Sequence, residues 1–279
     1  MTDETKKETK EQPVNVDPSG VQLFKRPVGD AEITLPCGLL IDGEIVKEAR
    51  ISPMTGKDRK DLVSPTMRNN PAKIISRLIE NRLLELGEHK APGIPRKYIK
   101  AMLAGDRDFI LMKLHQISNP TEADLETIIT CPARRCGEEF EVTIPYEQIK
   151  LREMPSELQE QIDAKKNVRF WAFESEAWGV KARFRFMDGK MQEDVAPKLR
   201  QNVVEGEYMI FAKMILDWNG LTSLTISQIE ELPKALIEEV ENSLGEHQYG
   251  PDFEDQVFVC PSCGMTIKGG IDFSSFLFQ

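Results

Sequence analysis

The chain has 279 residues, with 36 Lys plus Arg against 46 Asp plus Glu, a net charge of −10 and a pI of about 5.1. That length can bury a substantial core, as one large or two medium domains. The acidic balance, with no Lys/Arg cluster clear of neighbouring acids, argues against a nucleic-acid scaffold, which needs a basic face. No apolar run approaches a membrane span, and Met1-Thr2-Asp3-Glu4-Thr5-Lys6-Lys7-Glu8 has no apolar core of a signal peptide. The expectation is a cytoplasmic chain, in a compartment where thiols stay reduced.

Residues 1–20 are rich in Lys, Glu, Thr and Pro without apolar periodicity, the composition of a disordered arm. From Leu23 to Ile51 the pattern turns β-like. Ile33, Leu35, Leu39, Leu40 and Ile41 lead into Asp42-Gly43, a two-residue hairpin turn, and Ile45, Val46 and Ile51 follow. Cys37, among leucines, reads as a small buried hydrophobe. Pro53-Met54-Thr55-Gly56-Lys57-Asp58 turns a strand end into a helix. Its Gly-Lys pair lacks the earlier glycine and the following Ser/Thr of a phosphate loop, so that reading fails.

Asn70-Pro71 supplies an N-cap and an N1 proline. Ile75, Leu78, Ile79, Leu83 and Leu86 then fall at helical spacing, with Gly87 as the stop. After the Pro92-Gly93 turn a short helix carries Tyr98, Ile99, Met102 and Leu103. Gly105-Asp106 breaks and recaps it, and Phe109, Ile110, Leu114 and Ile117 continue the face. Asp106 and Asp108 lie in a first helical turn, where acids act as caps that complement the dipole rather than as a catalytic pair. His115, beside Leu114 and Ile117, reads as a packed or surface helix residue rather than a ligand.

Tyr146 to Lys165 reads as a linker helix. Val168, Phe170, Trp171 and Phe173, then Val180, Ala182, Phe184 and Phe186, alternate with polar residues as half-buried strands do. A long helical pattern follows through Val195, Leu199, Val203, Tyr208, Phe211, Ile215 and Trp218, with a kink or break expected at Pro197 or Gly206. Ser227 to Glu230 reads as a capping box, and Leu236, Ile237, Val240 and Leu244 line a helix ended by Gly245. The last residues carry Phe273, Phe276, Leu277 and Phe278, an apolar segment that must pack on its own sheet or dock into a partner.

Two features recur along this order. Met54 to Leu62 and Met187 to Val195 both read M-x-G-K-x-x-x-D-[LV] after a β-type run, 133 residues apart. Thr130-Cys131-Pro132…Cys136-Gly137 and Val259-Cys260-Pro261…Cys263-Gly264 both read strand, Cys-Pro, loop, Cys-Gly, strand, and Cys136 and Cys263 are 127 residues apart. A fixed period signals a repeated unit. The expected class is α+β: two similar units, 21–145 and 146–279, each a β-hairpin, a helical section and a knuckle hairpin. Four of the chain's five cysteines would then form one shared site, with Cys131, Cys136, Cys260 and Cys263 ligating a structural zinc. The first pair is C-x4-C, wider than an ordinary knuckle. Buried thiols, disulfide pairs or a redox couple at Cys260-Cys263 are the competing readings of the same residues.

The chain shows no nucleophile motif, no His-acid pair and no nucleotide loop. A four-thiolate zinc has no open position for water, so the expectation is a protein that is not an enzyme.

Leu35-Pro36-x-Gly38-Leu39, the Pro53 to Asp58 turn, Gly105-Asp106-Arg107-Asp108-Phe109-Ile110-Leu111 and Thr130-Cys131-Pro132 together resemble contractile-tail bacteriophage proteins. They are similar to the T4-type baseplate hub subunit and hub-assembly family. The resemblance implies a virion or hub-assembly role, with other tail and baseplate proteins as partners; the charge balance and the lack of a long apolar run leave neither nucleic acid nor membrane expected among them. It places the chain in the host cytoplasm during assembly and at the tail baseplate. Phe273, Phe276, Leu277 and Phe278 would be a docking element. The competing class is a zinc-ribbon nucleic-acid-binding regulator, for which only Arg134, Arg135 and Lys268 offer charge near the knuckles.

Overall fold

The structure is a computed structural model that describes residues 29–62, 70–119, 124–253 and 256–270. The expected N-terminal arm and the apolar residues after 270 lie outside the described residues. What is described is mixed helix and strand.

Strands β1 (Ala31–Ile41) and β2 (Glu44–Ile51) form the expected hairpin. Asp42 and Gly43 both take positive φ, 49° and 90°, the conformation a two-residue turn of this twist requires. The register breaks between Thr34 and Leu39, so Leu35-Pro36-Cys37-Gly38 is a bulge on β1. Gly38 has φ 70° and faces Ile45 and Lys47 so closely that a Cβ would lie 2.8 Å from either side chain. Helix α1 (Gly56–Leu62) follows, then α2 (Pro71–Arg82), β3 (Leu83–Leu86) and β4 (His89–Lys90), completing an antiparallel sheet of order β1-β2-β3-β4. Helices α3 (Arg96–Ala101) and α4 (Ala104–Ser118) lead to the hairpin of β5 (Asp124–Thr130) and β6 (Glu139–Pro145).

Past this hairpin the expected linker helix is absent. Residues 146–165 instead hold a 3-10 turn, β7 (Leu151–Arg152), the single-turn helix α5 (Ser156–Gln159) and β8 (Ile162–Asp163). A segment so short takes its conformation from the later strands it pairs with rather than from its own propensity. Strands β9 (Val168–Ser175) and β10 (Val180–Arg185) then form a hairpin. It is followed by α6 (Gly189–Gln201), α7 (Val203–Met214) and β11 (Ile215–Trp218), in a sheet of order β11-β10-β9-β8. Helices α8 (Ile226–Glu230) and α9 (Lys234–Glu246), strand β12 (Gly250–Pro251) and the hairpin of β13 (Gln256–Val259) and β14 (Thr266–Gly269) complete the order.

Two helical readings stop short for one reason. Leu83 and Leu86 belong to β3, not to the end of α2, and Ile215 and Trp218 belong to β11, not to the end of α7. In both places a helix passes into a strand without a loop, and the strand lies on the second strand of the preceding hairpin. Buried leucines and isoleucines at that junction satisfy a helical period, and only sheet pairing decides otherwise. Gly87 (φ 54°) serves the β3–β4 turn, its N–H reaching Glu48 O at 2.8 Å. The capping box sits two residues before the expected one, between Thr225 and Gln228.

The break between α6 and α7 falls at Asn202, which caps α7, and Pro197 lies inside α6. Proline there has no N–H for the carbonyl four residues back, Glu193 O. Asn70 fills the vacancy: its Nδ2 donates to Glu193 O at 2.7 Å while its Oδ1 caps α2 through Lys73 N–H. Gly206 lets α7 cross α6, because a Cβ would stand 2.5 Å from Leu199.

The apolar residues gather in two cores. One lies under the first sheet and α2 to α4, with Leu35, Ile51, Ile79, Leu83, Leu86 and Ile110 fully buried. The other is aromatic: Trp171 stacks on Phe184 at 4.7 Å and Phe184 on Phe211 at 5.7 Å, while Trp218 meets both edge-on. Burying each such side chain contributes about 1.5–3 kcal/mol.

Between the cores runs a polar seam, and the Gly105-Asp106-Arg107-Asp108 run lies on it. Asp106 and Asp108 are not caps; the N-cap of α4 is Leu103, without a side-chain bond. Asp106 is fully buried and accepts the N–H groups of Cys37 and Gly38, at 2.7 and 3.3 Å, from the β1 bulge. Arg169 of β9 closes the other side of that bulge by donating to Cys37 O at 2.6 Å and to Gly38 O. Arg107, also fully buried, donates to Gln192 Oε1, Ile99 O, Ala72 O and Ser76 Oγ at 2.8–3.2 Å. Gly189 lies under its guanidinium, which a Cβ would meet at 2.3 Å. Ala104 and Gly189 form backbone bonds with Met187 and Met102 across the seam. Gly105 touches the backbone of Tyr249 and Gly250, where a Cβ would come within 1.6 Å of Tyr249 O.

Candidate metal centre

Each cysteine pair sits in the loop at the end of a knuckle hairpin. The last pairings before the loops are Thr130 with Glu139 and Val259 with Thr266. In both loops the N–H of the first cysteine bonds the carbonyl two residues beyond the second: Cys131 to Glu138 O at 2.8 Å and Cys260 to Met265 O at 2.9 Å. In both, the glycine after the second cysteine takes positive φ, 66° at Gly137 and 70° at Gly264, so the chain curls behind the sulfurs. The wider C-x4-C loop therefore closes like the narrow one. Its two additional residues are taken up in a turn in which Cys136 N–H bonds Ala133 O at 2.9 Å.

The two loops bring their sulfurs together. Cys131 Sγ lies 3.6 Å from Cys263 Sγ, and Cys136 Sγ 3.7 Å from Cys260 Sγ. All four lie within 4.8 Å of one another. A tetrahedron with metal–sulfur bonds of about 2.3 Å has edges of about 3.8 Å, so the spacing suits one ion at the centre. No cysteine is in a disulfide, and the closest sulfur separations far exceed the ~2 Å of such a bond. Cys131 and Cys260 are buried, Cys136 is half-buried and Cys263 exposed.

The electrostatics of Cys131, Cys136 and Cys260 also favour an ion. At Cys136 the Glu138 N–H lowers the thiol, but burial and the thiols of Cys260, Cys263 and Cys131 push it up to about 12. At Cys131 the Ala133 N–H is likewise outweighed by burial and the neighbouring sulfurs, and the thiol lies above its ordinary value. Cys260 goes the other way. Burial raises it, but N–H groups of Cys263 and Ser262 and the thiols of Cys136 and Cys263 bring it down to about 7. Four thiols at this spacing cannot all ionise against one another; a cation among them removes the conflict. These residues can hold a metal ion.

The other singled-out residues stand elsewhere. His115 is buried against the Tyr146 hydroxyl and bonds Asn119 at 3.2 Å, far in role from any ligand set. Cys37 is buried in the seam, as expected of a lone thiol. Arg134, Arg135 and Lys268 are exposed, with Glu138, Glu139 and Glu141 exposed beside the first pair. The supporting carbonyls of Glu138 and Met265 carry no side-chain signal and could be placed only by the hairpin register.

Residues 33–277 match the family model described as T4 bacteriophage base plate protein. The chain belongs to that family. The match spans both hairpins and both cores, so the resemblance carried by the short motifs holds over nearly the whole sequence. No curated protein and no solved structure matches it. A baseplate protein has its partners among other phage tail proteins and its place at the virion tail. Among the described residues no helix is long and apolar enough to cross a membrane.

Proposed function

We propose that this baseplate protein is a structural component or assembly factor of the contractile-tail hub, held together by a structural zinc at Cys131, Cys136, Cys260 and Cys263. The convergence of four sulfurs from two distant hairpins carries the reading. Four thiolates fill a tetrahedral ion's coordination and leave no position for water or substrate, which suits a clamp and not a catalyst. Zinc fits an all-thiolate tetrahedral set better than hard cations, which take oxygen ligands.

The domain reading belongs to the same proposal. Among the described residues, β1 to β6 and β9 to β14 share one order, a hairpin, two helices, a third strand on the hairpin's second strand, two more helices and a knuckle hairpin, with the short strands β4 and β12 added. That shared order supports a duplicated unit, with one metal serving both copies. The protein's role is non-enzymatic, and its contacts are protein contacts. Phe273, Phe276, Leu277 and Phe278 are candidates for one of them. Acids interleave with the three basic residues near the knuckles, which does not favour nucleic acid.

Elemental analysis of protein purified without chelator should give about one zinc per chain, the stoichiometry of one four-ligand site. Mass spectrometry of purified virions and of hub intermediates decides the rest. The chain in virions makes it a component, and the chain in intermediates alone makes it an assembly factor. Its absence from both overturns the hub reading.

A further inference from the structure

A cavity of about 560 Å³ opens at the seam between the two cores, lined by Cys37 but by none of the four clustered cysteines. That volume suits a bound group of several heavy atoms or more. Its apolar wall includes Leu103, Phe186 and Ile210 together with Met154, Met187 and Met214. Three methionines in one wall make a lining that can repack around different shapes, as peptide-binding surfaces do. The exposed residue Gly245 also lines it, so it communicates with solvent at the end of α9.

Two polar groups of residues lining the cavity lack a hydrogen-bond partner among the described residues. Trp171 is 1 % exposed, and its indole Nε1–H is buried without an acceptor. His247 and Phe184 stack on the indole at 4.4 and 4.7 Å and cover its faces, so it lines the cavity with its edge. Asp108 is half-buried, and no donor among the described residues bonds its carboxylate. The adjacent Arg107 acts on Asp108 through its charge alone, its N–H groups being given to four other acceptors. Arg152, the cavity's own cation, is turned to the carbonyls of Gly245 and Glu246, each at 3.2 Å. The cavity thus offers a carboxylate without a hydrogen-bond donor between flexible apolar walls.

We propose that this cavity is a docking socket for a peptide segment of a partner tail protein, one carrying a Lys or Arg among apolar residues. The basic head pairs with Asp108, and the aliphatic stem lies along the methionines beside the Trp171 ring. The proposal rests on the tail-protein reading only for the source of the peptide.

The test uses the zinc-loaded full chain and follows the Trp171 indole N–H resonance, assigned with a Trp171→Phe variant. The probes are acetyl-Phe-Lys-Leu-amide, the same peptide with Glu or norleucine for Lys, and hexylamine as a free amine. The Lys peptide should shift the Trp171 resonance saturably, and the Glu peptide should not. Asp108→Asn should weaken Lys-peptide binding at least fivefold and leave the norleucine peptide unaffected. A variant lacking residues 271–279 should bind as the full chain does. Equal response to all three peptides, or an Asp108→Asn variant that binds the Lys peptide unchanged, overturns the pairing. Hexylamine binding as tightly as the peptide overturns the peptide source, and binding that appears only after removal of 271–279 makes the chain's own segment the occupant. Peptide binding by a protein that proves absent from virions and hub intermediates would leave the socket standing and the hub reading fallen.

Discussion

At the scale of single residues, the seam depends on side chains with two jobs. Asn70 caps α2 with its oxygen and satisfies the carbonyl freed by Pro197 with its nitrogen. Asn70→Asp keeps the cap and loses the donor, so Glu193 O is left unpaired. A loss of about 1–3 kcal/mol is expected in urea denaturation. Gly105 is more demanding still. Gly105→Ala places a methyl against Tyr249 O and should cost about 3 kcal/mol or more, whereas Gly245→Ala, with open space around it, should be neutral or stabilising. Asp106 is a buried acid. Desolvation raises it from 3.8 to about 6, against the Cys37 N–H, the Arg169 charge and the Gly38 N–H. An acid whose folded value is raised binds its proton more tightly when folded, so its contribution to stability is fully present below pH 3.8 and is lost as pH rises to about 6. Asp106→Asn removes that loss. The difference in melting temperature, variant minus wild type, should therefore be more positive at pH 7 than at pH 5. A constant difference across that range would show that Asp106 does not titrate there.

At the scale of elements, the knuckle hairpins and the seam are separate devices. A two-stranded hairpin of four-residue strands, such as β13–β14, is marginal by itself in water. The ion would supply what its strands do not, since metal binding adds its free energy to folding. Cys260→Ser should therefore lose the metal and the amide-exchange protection of 256–269 and of the loop around Cys131 to Cys136. From the sequence alone, the same substitution would be expected to open the interface between the halves. The seam alters that expectation, because Asn70, Arg107 and Arg169 make hydrogen bonds between residues 21–145 and 146–279 without any thiol ligand. Protection of α4 and β1 should survive the Cys260 variant. It should fail in Arg107→Met, which strips hydrogen bonds from Ala72, Ile99, Ser76 and Gln192 and should cost about 3–5 kcal/mol.

At the scale of the whole molecule, these parts predict two unequal steps of unfolding. Chelator should lower the melting temperature and expose the hairpins while far-UV circular dichroism stays near native, because the knuckle hairpins give only Leu125, Ile144 and Phe258 to the buried residues of the first core and none to the second. Simultaneous loss of all secondary structure on chelation would mean that the ion, and not the seam, unites the halves. The net charge of −10 and the acids around Arg134 and Arg135 belong to this scale as well. Filter binding to DNA at low salt, where even non-specific association shows, should give no retention.

The sequence alone was enough for whatever rests on local chemistry. Asp42-Gly43 dictates its hairpin, Asn70-Pro71 starts its helix, and Cys-Pro with Cys-Gly sets two thiols at the tip of each knuckle, because these depend on a few consecutive dihedrals and side chains. Spacing also exposed the partnership of residues more than 120 apart, since a repeated motif carries the imprint of its own geometry. Tertiary structure alone decided the rest. Leu83 and Ile215 satisfy a helical period and a strand equally, and the neighbouring strand chooses between them. Asp106 resembles a cap until the β1 bulge presents two N–H groups to it. The unpaired Asp108 and Trp171 are defined by the partners that three-dimensional packing withholds, and a one-dimensional pattern holds no record of a missing partner.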